Sequence, residues 1–95
     1  MIAETARVPT TNGAKYLQQL CKHWAHKLEV ELSSDAGTVR FPDAVARMTA
    51  DADALTVTVE AADEATVERM KSVVARHLDR FAFHEAPLPF AWARG

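Results

Sequence analysis

Ninety-five residues, 48% of them hydrophobic and 25% charged, suffice for one core and not for two. A formal net charge of -2 excludes the clearly basic domain that sequence-independent nucleic-acid binding needs, and the lone Cys21 excludes an internal disulfide or a four-sulfur zinc site. No run approaches the ~20 apolar residues of a membrane span. The opening MIAETARVPT lacks both a basic leader and an apolar signal core, so a cytoplasmic location is expected.

In chain order, residues 2–9 (IAETARVP) alternate weakly and stop at Pro9, which cannot donate to a ladder, so a first strand is predicted there. Thr11 or Asn12 then stands where a helix cap is needed. The apolar positions that follow, Leu17, Leu20, Cys21, Trp24 and Leu28, have the spacing of one buried helical stripe. Leu28, Val30 and Leu32 alternate with Glu29 and Glu31, SSDAG at 33–37 is turn chemistry, and Val39 and Phe41 share one side of the next segment, which together predict a hairpin. AVARMTA at 44–50 reads as another strand, DADA at 51–54 as a tight turn, and LTVTVEA at 55–61 as the most regular alternation in the chain. Asp63 is placed to cap a second helix with Val67, Met70, Val74, Leu78 and Phe81 on its inner stripe.

The expected fold is α+β: a two-layer sandwich in the order β-α-β-β-β-β-α, with a mainly antiparallel sheet of four to five strands and both helices on one sheet face. Residues 1–95 form a single domain, and residues 86–95 form an extended tail in which Leu88, Phe90 and Trp92 alternate with Pro87 and Pro89, a pattern suited to an edge strand or a docked segment.

Chemistry concentrates in CKHWAHK, residues 21–27. Cys21 and Trp24 belong to the buried stripe, whereas Lys15, Gln19, Lys22, His23 and His26 project away from it and Lys27 lies at its border. No acid occurs between Glu4 and Glu29, so this face is entirely basic in a chain of net negative charge and is suited to anions. The plain alternative is a solvated lysine-rich helix face. His23 and His26, three apart, are two potential metal ligands; a third would come from His77, from His84 or from a second copy of the chain. A thiolate nucleophile would need Cys21 exposed beside a base, and the stripe points it at the core, so no catalytic residue is expected.

YLQQLCKHWAHKLEV (16–30), VVARHLDRFAFHE (73–85) and the closing Trp92 and Arg94 closely resemble the small bacterial family called domain of unknown function 2218. His84 departs from that pattern, where arginine is expected. The resemblance implies no activity. It does imply a context beside flavin-dependent siderophore-interacting proteins, and hence a link to siderophore-iron utilisation. The shared positions map onto Lys22, His23, His26 and Lys27 of the first helix and onto His77 and Arg80 of the second. These considerations favour a non-enzymatic binding or accessory module that holds an anionic iron chelate or a siderophore-interacting flavin reductase through Lys22, His23, His26, Lys27, His77 and Arg80. The rival expectations are a homodimeric interaction domain joined through the outer sheet face or the LPFAW tail, and a metal or haem site on His23, His26 and His77.

Overall fold

The computed structural model describes all 95 residues. Eight elements follow one another: β1 (Ile2–Pro9), α1 (Gly13–Trp24), β2 (Glu29–Leu32), β3 (Ala36–Arg40), β4 (Ala44–Ala50), β5 (Ala54–Ala61), α2 (Glu64–Phe81) and β6 (Ala93–Arg94). The six strands make one sheet in the order β2-β3-β4-β5-β1-β6, with every neighbouring pair antiparallel. The predicted element order holds, and the sheet gains a strand because the tail returns to pair Arg94 with Glu4 and Ala93 with Thr5.

Period-two alternation sorts the sheet into two faces. Val8, Ala6, Leu55, Val57, Val59, Ala46, Met48 and Val39 are buried beneath the helices, and the register sets Ala6 against Val57 and Met48 against Val57 from the other side. The opposite face carries Thr5, Thr38, Thr49, Thr56 and Thr58 with Arg47 and Glu60, which form an ion pair across β4 and β5. Thr5 and Thr58 share a hydroxyl hydrogen bond of 2.9 Å, as directly opposed threonines do.

α1 contains neither proline nor a β-branched residue, and its buried residues Tyr16, Leu17, Leu20, Cys21 and Trp24 recur at helical spacing. Each of the two leucines, at 0% exposure, contributes roughly 1.5–3 kcal/mol by burial. The stripe predicts helix through Leu28, but α1 stops at Trp24. Both Lys27 and Leu28 donate their backbone N–H to the Trp24 carbonyl, so the chain closes into a turn and Leu28 reaches the core from outside the helix. Asn12 occupies the N-cap position without capping: its side chain is engaged elsewhere. Asp63 does cap α2, accepting from the Thr66 N–H at 2.7 Å.

One close approach locks α1 to the sheet. A Cβ built on Gly37 of β3 would stand 2.5 Å from Cys21 Sγ, so only glycine fits beneath the thiol. At the sheet's other end the LPFAW segment turns inward: Leu88 is buried, Phe90 and Trp92 stack with centroids 5.6 Å apart against the core, and Lys71 Nζ lies 5.7 Å from the Trp92 ring centroid.

The outer surface of the helices as a candidate functional site

The two helices run past one another in opposite senses, since Tyr16 of α1 reaches Glu85 beyond the end of α2 while Trp24 and His23 meet His77 and Phe81. His23 and His77 have ring centroids 6.0 Å apart, and the Trp24 ring lies 5.0 Å from His77 and 5.1 Å from Phe41. His77 is partly buried in this aromatic seam. Its Nδ1 lies 2.6 Å from the Val73 carbonyl, which only accepts, so Nδ1 carries the proton and donates it there. His26 and Lys27 sit in the turn after α1 rather than on the helix, and both are exposed. The structure therefore brings His23 to His77 but leaves His26 apart, and no group of three or more His, Cys, Asp or Glu side chains is gathered to hold a metal ion. His84 stacks on Phe83, centroids 4.2 Å apart, and joins neither.

Charge divides the molecule more sharply than residue type does. Of the eleven lysines and arginines, Arg7, Arg40, Arg47, Arg69, Lys71 and Arg94 stand in ion pairs. The five without a carboxylate partner are Lys15, Lys22, Lys27, Arg76 and Arg80, all on α1, on α2 or in the turn between α1 and β2. All five are exposed, as are His23, His26 and His84. Lys22, His23 and Arg80 lie in the last turns of their helices, where cations offset the negative end of the helix dipole. Acids near this surface are already engaged: Asp79 accepts from the Leu88 N–H at 2.9 Å, and Glu85 is held by three side chains.

Cys21 has no chemistry to offer. It is 0% exposed, and burial pushes its thiol up to about 11, so the nucleophilic thiolate is absent near neutral pH.

The Glu85 cluster escaped sequence reasoning. Thr10 Oγ1 lies 2.9 and 3.1 Å from the two Glu85 oxygens, Asn12 Nδ2 donates at 3.1 Å, and the Tyr16 hydroxyl donates to Oε2. The hydrogen bonds from Tyr16, Asn12 and Thr10 hold the Glu85 carboxyl below its ordinary range; the same bond to Glu85, with burial, raises the Tyr16 phenol. Tyr16 is only 4% exposed, and a tyrosine buried that far must find a partner for its hydroxyl, which was the one available signal. The cluster pins the chain after α2 onto the β1–α1 junction, so its role is to hold the tail.

No helix of the chain is long and apolar enough to cross a membrane. No curated protein matches the chain. Among solved structures, it is similar to PA4090 from Pseudomonas aeruginosa, determined by NMR, at 38% identity and a TM-score of 0.84, covering 98% of this chain and 96% of that one. That likeness extends to the whole fold just described, tail included. A family model described as "Uncharacterized protein conserved in bacteria (DUF2218)" matches residues 5–93, and the chain belongs to this family.

Proposed function

We propose that the domain is a non-catalytic binding module whose outer helical surface docks an anionic partner, with Lys22, His23, Lys27 and Arg80 making the contacts, His26 flanking them and His77 holding the seam between the helices. One observation carries this reading: every lysine and arginine without a carboxylate partner lies on this layer, in a chain whose net charge is -2. Clustered like charges raise the local concentration and the association rate of oppositely charged ligands. Siderophore-bound iron and the flavin reductases that process it are the class that the family resemblance implies, and a ferric chelate presenting carboxylate or catecholate oxygens has the matching sign. A bare cation held by His23 and His77 would have to enter against the same five charges, which is why the anionic reading is preferred to the metal one.

The test titrates ferric citrate, a ferric catecholate chelate and polyglutamate in turn into tag-free protein, following amide shifts. Saturable shifts on Lys22, His23 and Arg80, weakened tenfold or more (~1.4 kcal/mol) in Lys22→Ser/His23→Ser/Arg80→Ser, are expected. If no probe shifts these amides, or the triple variant binds as well as the native chain, this surface is not the docking site.

A further inference from the structure

The partner's class can be narrowed by shape, on the premise that the outer helical surface docks an anion. Small ligands are taken by concave sites that bury most of their surface. The well-formed depression of the molecule lies at the β2 edge, lined by Glu31, Leu32, Ser33, Ala36, Gly37 and Thr38, away from the basic surface. What the basic surface has instead is a projecting aromatic. Phe83 is 69% exposed, the most exposed large hydrophobic side chain after Met1. It follows Arg80 by three residues and Arg76 by seven, and the Ala82 N–H still bonds to the Leu78 carbonyl. At Ala82, however, φ of -100° and ψ of 37° leave the helical path, so Phe83 stands in the turn that closes α2, directly after the helix end that carries Arg80. His84 packs on its ring. An exposed aromatic in the turn just past a helix end that carries unpaired arginines has the composition of a protein–protein hot spot and not of a chelate cage.

We infer that the anionic partner is a protein, one presenting carboxylates around a small apolar pocket that receives Phe83, with Arg76, Arg80, Lys22 and His23 meeting the acids. Charge complementarity fixes the sign of that partner, and the side chain of Phe83 fixes its need for an apolar recess.

The experiment uses the full chain and two synthetic peptides of equal length and charge, one of glutamate and glycine, the other with leucines replacing some glycines. The leucine peptide is expected to bind roughly tenfold tighter. Phe83→Ser should abolish that advantage while leaving the glycine peptide's affinity unchanged; Lys22→Ser/Arg80→Ser should weaken both. Native amide spectra of Phe83→Ser confirm that the fold is kept. Equal affinities of the two peptides would overturn the protein-anchor inference and leave the anionic reading standing. Tighter binding of ferric citrate, or of a DNA duplex, than of either peptide would also overturn it, in favour of those ligands. If neither peptide, chelate nor duplex binds, the anionic reading itself fails.

Discussion

The seam between α2 and β1 and the outer surface of the two helices hold the same residue types and use them in opposite ways. In the seam, Lys71 bonds Glu4 at 3.0 Å and Glu68 at 2.8 Å, and Arg94 reaches Glu64 with Glu4 3.8 Å away. Glu4 faces the helices from inside the sheet at 8% exposure, a position that a carboxylate occupies only with a partner. On the outer surface Lys22, Arg76 and Arg80 have no acid to meet. A lysine or arginine says little by itself; the carboxylate within its reach separates a charge that holds the fold from one left available to another molecule.

Four changes would break or sharpen that contrast. Lys71→Ala strands Glu4 with only the distant Arg94 and removes the cation from Trp92; it should cost roughly 2–3 kcal/mol, just below the range for breaking a fully buried pair, and lower the melting temperature accordingly. Gly37→Ala should cost roughly 1–2 kcal/mol by driving a methyl into Cys21, and the Gly37→Ala/Cys21→Ala double variant should recover much of that loss, which a double-mutant cycle in denaturant would read.

The third change is in pH. Because Glu85 is held below its ordinary carboxyl range, its contribution is fully present above the unfolded value of about 4.3 and is lost as pH falls through the lower folded value. On acidification, Tyr16–Glu85 contacts followed by NMR should therefore persist until pH falls through that lower folded value, and Glu85→Gln should loosen the tail at neutral pH and show no acid step. The raised Tyr16 phenol gives the mirror case, contributing below the ordinary phenol range and failing in strong base. Smallest is the effect of Lys22→Ser or Arg80→Ser on stability, within about 0.5 kcal/mol by thermal melts, since neither residue has a carboxylate partner to lose and each is exposed at its helix end. A larger loss would move them into the structural class.

Much of the framework is legible because it rests on periodicity. Val57 and Val59 alternate with Thr56, Thr58 and Glu60, and Val67, Met70, Val74 and Leu78 recur at helical spacing; each pattern admits one face and one element. What stays hidden depends on residues far apart in sequence. The end of α1 carries no glycine or proline, and Leu28 continues its stripe from a turn, so a periodic reading runs too long. β6 is two residues that form a strand only because β1 is there to receive them. For the site, Lys22, His23 and the acid-free stretch were visible, and His77 stood only as one candidate partner for His23 among others; that the two rings meet depended on how the helices pack. That Arg76 and Arg80 are both left without an acid, and that Phe83 stands exposed in the turn after α2, depended on which carboxylates and core positions the fold had already filled.

The strand order carries a consequence for how the chain folds. β2 to β5 are neighbours in both sequence and space, joined by short turns, whereas β1 slots in beside β5 with partners such as Ile2 and Ala61 drawn from distant parts of the chain. Loop-closure entropy delays such a pairing. Until it forms, β5 presents an open, regularly alternating edge of eight residues, a length that only β1 matches. A newly made chain is thus most prone to self-association before its first strand docks, and the order of assembly, more than final stability, sets how well it survives crowded synthesis.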